Sequence, residues 1–306
     1  MVDRGSVACG MEGRKFFLIV NLIAGLGRCK ALFPKVREEL DRRGIDYDLH
    51  FTNEPQEATD VCRMGIEAGF THIVAMGGDG TVNEVANGLL GADAVLCVIP
   101  AGNGNDFVRT AGIPRDPIDA LDVLVHGKER TIDLARVADD RCVVNGLGIG
   151  IDAQVARDVL TMERLRGVPA YLYAAVKEVF RFKAFPVTLT TDEETLDLQC
   201  LSLGVANGPF AGGGFKLAPR AQIDDGKIDV AAVGDFARLE RLVRLPQARA
   251  GKHLSLSRVH YRQVEHVTIS SSHALVAHVD GEPYRLPRES FRVEVLPRAV
   301  RAFVPG

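Results

Sequence analysis

A glycine-rich segment, GGDGTVNEV, follows the apolar run HIVAM and has the composition of a phosphate-binding loop. Gly77, Gly78 and Gly80 permit positive φ and let the backbone approach a ligand that a Cβ would exclude. Thr81 and Glu84 stand at the spacing of a capping box, which predicts that a helix begins at Thr81. The positive end of such a helix would face the loop and favour a bound anion.

Asp79 lies inside the same loop and needs a separate explanation. A carboxylate repels phosphate unless a cation or a ribose hydroxyl lies between them, so we interpret Asp79 as a nucleotide and Mg²⁺ contact. The alternative is a strand-to-helix turn that needs an Asp-Gly pair and no ligand.

A second glycine-rich loop, AGNGNDFVR, follows the next apolar run, VLCVIP. Gly102 and Gly104 free its backbone, while Asn105 and Asp106 are predicted either to cap the next helix or to contact a nucleotide. Adjacent strands of a parallel sheet place their C-terminal loops side by side. The two loops are therefore expected to form one nucleotide-sized site.

The elements that would position these loops alternate between strands and helices through the first half of the chain. This alternation predicts an α/β domain with a doubly wound parallel sheet over residues 14–135. Short strands with Gly and Pro turns follow, with helical pattern only near residues 171–182 and 236–250, which predicts a β-sandwich or barrel over residues 136–298. A last short strand could return to either domain, so residues 299–306 could complete the first.

Composition excludes several function classes. The net charge of −3 gives little attraction to a polyanion, which argues against a nucleic-acid partner. The apolar stretches are shorter than the roughly 20 residues of a membrane-spanning helix, so any membrane contact should be peripheral. Six scattered cysteines without a CxxC pair suit a reducing cytosol, and the first thirteen residues lack the apolar region of a secretory signal. We therefore expect a cytoplasmic protein.

Five blocks together resemble the diacylglycerol kinase-like lipid kinases of bacteria in order and spacing. They are GGDGTVNEV, PAGNGNDFVR, NGLGIGIDAQV, VANGPFAGGGFKLAPRAQIDDGKIDV and HVDGEPY. The first block alone also occurs in NAD kinases and, in a related form, in phosphofructokinases. The resemblance implies an N-terminal α/β nucleotide domain, a C-terminal β-sandwich, and an ATP site in the cleft between them.

The resemblance also assigns roles to individual residues. Asp79 and Asp106 are similar to the family's nucleotide and catalytic aspartates, and Glu282 is similar to its general base. The supporting phosphate and nucleotide contacts would be Asn21, Gly77, Gly78, Gly80, Thr81, Gly102, Asn103, Asn105 and Asp280. Read without the resemblance, the Asp-Gly pair before Glu282 is a typical hairpin turn.

A second role implied by the resemblance is a Mg²⁺ site away from the phosphates. It would use the Asp225 side chain with the backbone carbonyls of Gln222 and Lys227, joined through water to Asp133. Mg²⁺ gives up its water ligands reluctantly, so a site with few side chains, some backbone carbonyls and several waters suits this ion. The alternative is that Asp224-Asp225-Gly226 is only a turn.

The chain departs from the family pattern at three places. The usual NPxSG reads NLIAG from Asn21 to Gly25, Asn103 stands where threonine is common, and Arg220 replaces an acid. The loss of the hydroxyl affects one phosphate contact, although an amide can donate the same kind of hydrogen bond. Arg220 either alters lipid preference or is a surface exchange.

Two basic, apolar segments could bring the protein to its lipid. Residues 236–253 contain Phe236, Leu239, Leu242 and Val243 among the arginines 238, 241, 244 and 249, and residues 157–183 contain Arg164, Arg166, Lys177, Arg181 and Lys183. Either segment could lie on the inner face of an anionic membrane, or could be an ordinary amphipathic helix with a solvated basic face.

The predicted function is phosphorylation of a hydroxyl on a diacylglycerol-like or sphingoid-like lipid, with ATP and Mg²⁺. Two alternatives stay open: a soluble-substrate kinase of the NAD kinase type, and a nucleotide-binding regulator without catalysis. The acceptor could be diacylglycerol, phosphatidylglycerol, a sphingoid base, or a polyketide or glycolipid alcohol. A sheet edge in the second domain could pair two subunits as a homodimer.

Overall fold

The chain divides into two compact units in a computed structural model, which describes residues 14–138, 141–162, 165, 168–287 and 289–306. Unit 1 contains the residues up to Ile132 together with Arg298–Gly306, and unit 2 contains Asp133–Pro297. Sequence analysis had placed the boundaries at 135/136 and 298/299. Arg164 and Arg166 of the second basic segment, and the first thirteen residues, lie outside the described part of the chain.

Unit 1 is built on parallel strands with helices between them. Its strands are β1 (Phe16–Val20), β2 (Tyr47–Phe51), β3 (His72–Gly77) and β4 (Val95–Pro100), and its helices are α1 (Arg28–Arg42), α2 (Glu57–Glu67), α3 (Asp79–Gly88), α4 (Asp106–Thr110) and α5 (Pro117–His126). β5 (Lys128–Val137) and β15 (Ser290–Val304) each run from one unit into the other. The order of paired strands is the end of β15, then β4, β3, β1 and β2.

The parallel sheet follows directly from the sequence pattern. Every residue of β3 and β4 is buried, as expected for central strands covered on both faces, whereas the edge strand β2 is partly exposed. The pairings among β1, β2, β3 and β4 are parallel, and so is that of β4 with the end of β15, where Arg301 pairs with Val95. The predicted doubly wound α/β domain is confirmed, and residues 300–304 do return to it.

Unit 2 is dominated by antiparallel strands around a separate apolar core. Its strands are β6 (Arg141–Val143), β7 (Gly146–Gly150), β8 (Phe185–Thr190), β9 (Thr195–Ala206), β10 (Ile228–Gly234), β11 (Val259–Val264), β12 (His266–Ser270), β13 (Ala277–Val279) and β14 (Glu282–Tyr284). Its helices are α6 (Ile151–Leu160), α7 (Val168–Arg181) and α8 (Arg238–Arg249), with a 3-10 turn at His253–Ser255. β9 pairs with β7, β8 and β10, so it is central to this unit.

Two elements of unit 2 differ from the expectation. α6 lies in a part of the sequence for which short strands were predicted. Gly150 takes a φ of 109°, which ends β7 and lets a helix begin at Ile151. The predicted separate last strand is instead the end of the 15-residue β15. Within β15, Pro297 cannot donate a ladder hydrogen bond and Arg298 has a φ of 54°, and the division between the units falls between these two residues.

No helix in the described residues is both long enough and apolar enough to cross a membrane.

His72, at the start of β3, generates a prediction about acid stability. Its buried ring lies 5.1 Å from that of Phe16 and 5.6 Å from that of Phe303, and burial lowers its pKa from 6.5 to about 4. Protonation therefore opposes folding: the stabilisation is fully present above pH 6.5 and is lost as the pH falls toward 4. The expected loss is roughly 3 kcal/mol in the free energy of unfolding.

His72→Phe keeps an aromatic ring and removes the titration, so its urea unfolding curves should lose less stability between pH 7 and pH 4 than those of the parent protein. His126→Phe, at an exposed histidine of the same unit, is the control and should keep the parent pH dependence. Parallel pH profiles for His72→Phe and the parent would contradict the assignment.

Candidate active site

The loops after β3 and β4 lie side by side, as predicted for neighbouring parallel strands. Gly77 pairs with Pro100 at the carboxyl ends, and the Gly77 carbonyl accepts hydrogen bonds from the N–H groups of Ala101 and Gly102 at 2.8 and 3.0 Å. The two glycine-rich segments are therefore joined where they begin, at the Gly77 carbonyl.

Gly77 and Gly102 allow close packing, and Gly77, Gly78 and Gly80 do not use the positive φ that glycine permits. Gly78 has a φ of −99°, and Gly80 lies in the first turn of α3. A Cβ on Gly102 would lie 2.4 Å from the Cα of Gly78, and one on Gly77 would lie 2.3 Å from Oγ1 of Thr81. A side chain on Gly102 would push the two loops apart, and one on Gly77 would collide with Thr81 in the helix that follows it.

The predicted capping box was wrong. α3 begins at Asp79, two residues earlier than expected, so Thr81 and Glu84 are buried within the helix. The Glu84 carboxylate accepts the N–H groups of Gln56 and Ala58, both at 3.1 Å, and so holds the start of α2.

Asp79 binds the backbone of the neighbouring loop. Its carboxylate accepts hydrogen bonds from the N–H groups of Asn105 and Asp106, each at 2.7 Å, and of Phe107 at 3.3 Å. Asn105, which has a φ of 52°, makes no side-chain cap and instead donates from Nδ2 to the Gly102 carbonyl at 2.9 Å. The cap of α4 is thus supplied by Asp79, 26 residues or more away in sequence.

A third loop, after β1, joins the other two. Asn21 donates from Nδ2 to Oγ1 of Thr81 at 3.2 Å, and Gly25, with a φ of 63°, approaches the carbonyl of Ala101 so closely that a Cβ would lie 2.4 Å from it. Arg28 donates to the Gly102 carbonyl at 3.3 Å. Arg28 is an exposed cation that the sequence analysis missed, and only its place at the start of a helix after a glycine could have drawn attention to it.

The remaining predicted residues of unit 1 differ in exposure. Asp106 is buried in the first turn of α4, with Nε of Arg109 at 3.9 Å from its carboxylate. Asn103, the departure from the family pattern, is exposed at the tip of the second loop. Unit 1 therefore brings the predicted loop residues together around three strand ends.

In unit 2, Asp280 makes the same kind of contact as Asp79 does in unit 1. The buried Asp280 carboxylate accepts hydrogen bonds from the N–H groups of Val144, Asn145 and Gly146 at 2.8 to 2.9 Å. Asp280 has a φ of 48° and Gly281 one of 86°, as a two-residue hairpin turn between β13 and β14 requires. The turn interpretation is therefore correct for the backbone.

Glu282 is the first residue of β14 and follows that turn directly. Its side chain is half exposed, and Nη2 of Arg141 lies 3.7 Å from its carboxylate. His278 accepts the Gly281 N–H at Nδ1 at 3.2 Å, and its Nε2 lies 3.3 Å from a carboxylate oxygen of Asp152. The base proposed from the sequence thus sits next to a turn that is held by two separate side chains.

Two buried asparagines connect this turn to the predicted metal site. Asn207 donates from Nδ2 to the carbonyls of Asp133 and Val144, both at 2.8 Å, and Asn145 donates from Nδ2 to the Phe210 carbonyl. Both asparagines lie in the blocks that resemble the family, and neither was predicted to have a role. Buried amides directly before glycine were the signal available for them.

Asp133 and the 222–227 turn meet in unit 2. The Asp133 carboxylate accepts the Gly226 N–H at 2.7 Å, and that of Asp225 accepts the Lys227 N–H at 3.1 Å. Carboxylate and carbonyl oxygens at one turn are hard ligands that fit a Mg²⁺ with several waters. No cage of three His, Cys, Asp or Glu side chains occurs in the described residues, so the ion would depend on carbonyls and water.

Arg220, another departure from the family pattern, has a local partner. Its guanidinium lies over the ring of Tyr261 at 5.7 Å, and the Tyr261 hydroxyl donates to the buried carboxylate of Asp229. The arginine therefore packs on the surface of unit 2.

Comparisons with known proteins cover nearly the whole chain. The diacylglycerol kinase catalytic domain matches residues 15–137, and the YegS C-terminal NAD kinase beta sandwich-like domain matches residues 145–304. A protein of Pseudomonas putida named "Probable lipid kinase YegS-like" is 32% identical over 97% of both chains. A protein of the same name from Chromohalobacter salexigens is 31% identical over 90% of both.

Solved structures support the fold. A crystal structure described as a diacylglycerol kinase from Bacillus anthracis has a TM-score of 0.71 and 24% identity, covering 95% of this chain and 97% of the other. At this identity the likeness is evidence for the two-domain fold alone.

The contact between the two glycine loops can be tested with a matched pair of substitutions. Gly102→Ala places a Cβ 2.4 Å from the Gly78 Cα and should destabilise the protein by about 1–3 kcal/mol, because two backbones must separate. Gly78→Ala places its Cβ at 3.4 Å, with a φ that alanine accepts, and should change the thermal midpoint little. Scanning fluorimetry of both variants measures the difference, and equal midpoints would contradict the packing explanation.

Proposed function

The chain belongs to the YegS-like family with a diacylglycerol kinase catalytic domain, and from this premise we propose that it is a lipid kinase that uses ATP and Mg²⁺. The acceptor is a hydroxyl of a diacylglycerol-like or sphingoid-like lipid. The observation that carries the nucleotide part is the joining of the two glycine-rich loops at neighbouring strand ends through Asp79.

In the proposal, these loops bind the phosphates of ATP. Backbone N–H groups at a strand-to-helix turn, together with the positive end of α3, favour an anion there. Asn21, Gly77, Gly78, Gly80, Thr81, Gly102, Asn103 and Asn105 are the proposed contacts. Arg28 adds a cation beside the Gly102 carbonyl.

The two aspartates of unit 1 take different roles. Asp79 shapes the site, because at least three of the roughly four hydrogen bonds that a carboxylate can accept go to backbone N–H groups. Asp106, on the first turn of α4, is the carboxylate proposed to face the nucleotide and its ion. When bound, Mg²⁺ would neutralise charge on the transferring group.

Glu282 is the proposed general base. The lipid hydroxyl oxygen forms a bond to the γ-phosphorus of ATP, the bond to the β–γ bridging oxygen breaks, and ADP leaves with that electron pair. The hydroxyl proton goes to the Glu282 carboxylate. Asp280 and His278 hold the turn from which Glu282 extends, and Asp225 and Asp133, with the carbonyls of Gln222 and Lys227, would hold a structural Mg²⁺.

The proposal is tested by incubating the protein with labelled ATP, Mg²⁺ and a panel of lipid alcohols, with NAD in a parallel reaction. Label transfer to a lipid supports the proposal, and identification of the product gives the acceptor. Transfer to NAD alone would favour the soluble-substrate alternative. Binding of ATP without transfer to any acceptor would favour a nucleotide-binding regulator.

Glu282→Gln tests the base directly. The amide keeps the size of the side chain and cannot take the proton, so kcat for lipid phosphorylation should fall by about 10²- to 10⁴-fold. The thermal midpoint should stay close to that of the parent, because the side chain is half exposed. Glu265→Gln, at an exposed glutamate of the same unit, is the control and should retain full activity. A normal kcat in Glu282→Gln would refute this role.

A further inference from the structure

Helices α7 and α8 of unit 2 pack on one another and leave apolar side chains in solvent. On α7, Leu172, Val176 and Phe180 recur every four residues and are 58%, 39% and 38% exposed, with Tyr173 beside them at 57%. On α8, Leu239 and Val243 share one face and are 74% and 69% exposed. We call these six residues the α7–α8 apolar surface.

This surface is not a consequence of loosely attached helices. The opposite side of α7 is buried through Ala170, Ala174 and Val179. Arg241 of α8 donates to the carbonyls of Val179 and Phe182 at 2.9 Å and pairs with Asp235 at 2.7 Å. α8 is therefore fixed to the end of α7 while Leu239 and Val243 stay outside.

Arg241 also corrects the sequence interpretation of α8. The predicted basic face included Arg241 and Arg244, but the first is turned toward α7 and the second pairs with Glu240 at 3.2 Å. The exposed residues of α8 include Arg238 and Arg249 as well as Leu239 and Val243, and the helix has apolar residues on more than one face.

Three exposed basic side chains lie near the end of α7 and the start of α8, which Arg241 joins. Arg181 and Lys183 lie at and just beyond the end of α7, and Arg238 is the first residue of α8, and all three are exposed. Within the described part of unit 2, no carboxylate forms an ion pair with any of them. The nearby acids Asp158 and Glu178 are instead engaged by Lys177, at 2.6 and 3.4 Å.

We propose that the α7–α8 apolar surface, with Arg181, Lys183 and Arg238, docks unit 2 on an anionic lipid bilayer. Apolar side chains enter the interface while cations meet lipid headgroups, which is the charge pattern of an interfacial helix. The anionic headgroups of a bilayer supply opposite charge to the three cations, and its interior accepts the apolar side chains, so we commit to this occupant. The idea that the bilayer supplies the acceptor lipid rests on the proposed function. Docking itself does not require ATP and can be tested separately.

The test is flotation of the purified full-length protein with vesicles, without ATP. Binding is expected with vesicles of phosphatidylcholine containing phosphatidylglycerol, to be much weaker with phosphatidylcholine alone, and to fall with added salt. Leu239→Asp/Val243→Asp should reduce binding at least tenfold, and so should Arg181→Glu/Lys183→Glu/Arg238→Glu. Both variants change exposed residues, so circular dichroism should match that of the parent.

Matched controls separate a specific surface from a general effect of charge. Met64→Asp alters an equally exposed apolar residue of α2, and Lys35→Glu/Arg115→Glu/Lys128→Glu alters three exposed cations of unit 1. These controls should bind vesicles like the parent. Equal losses in controls and docking variants would overturn the proposal.

Two further outcomes are decisive. A parent protein that binds no anionic vesicle overturns docking, even if it phosphorylates a soluble short-chain lipid. Vesicle binding without any phosphoryl transfer supports docking and contradicts the proposed function.

Light scattering tests whether the α7–α8 apolar surface is instead a subunit interface. A dimer that Leu239→Asp/Val243→Asp converts to a monomer would show such an interface and overturn the membrane proposal.

Discussion

The structure depends on one recurring interaction, in which a single carboxylate accepts hydrogen bonds from three consecutive backbone N–H groups. Asp79 does this for residues 105–107 in unit 1, and Asp280 does it for residues 144–146 in unit 2. Consecutive N–H groups that point the same way have no partner in a helix or sheet, and leaving them buried would cost free energy. A charged acceptor stabilises all three and fixes the path of a distant loop.

This interaction changes the meaning of the acidic residues in both motifs. From the sequence, Asp79 in its glycine-rich loop looks like a ligand contact, because a carboxylate near phosphate needs an explanation, and the family resemblance implies a contact for Asp280 as well. The contacts show that the carboxylates of Asp79 and Asp280 bind backbone N–H groups. These hydrogen bonds fix the position of neighbouring residues, which are Asp106 in unit 1 and Glu282 in unit 2. A site whose groups are held in place beforehand loses less free energy to reorganisation during reaction.

The sequence predicted what depends on short-range periodicity and on topology. Strand-helix alternation gave the parallel sheet, and the adjacency of β3 and β4 gave the meeting of their loops. It did not predict contacts set by residues far apart in the chain. Glu84 matched a local capping box, yet it binds N–H groups 28 and 26 residues away, and the cap of α4 comes from Asp79. The glycines permit positive φ, but what excludes a side chain at Gly102 is the backbone of the other loop at Gly78, and what excludes one at Gly77 is the side chain of Thr81.

The role of α8 also depends on a contact between residues far apart in the chain, so the sequence left it undecided. A helix with apolar residues on more than one face and arginines between them is compatible with packing on the protein or with lying on a membrane, because periodicity alone does not say which face is covered. The decision depends on one contact: Arg241 reaches the carbonyls at the end of α7, which turns that side inward and leaves Leu239 and Val243 in solvent. One side of α8 is thus packed on α7, and another side is exposed to solvent. A partly buried arginine that satisfies the open end of a neighbouring helix can therefore decide which surface a protein presents to its surroundings.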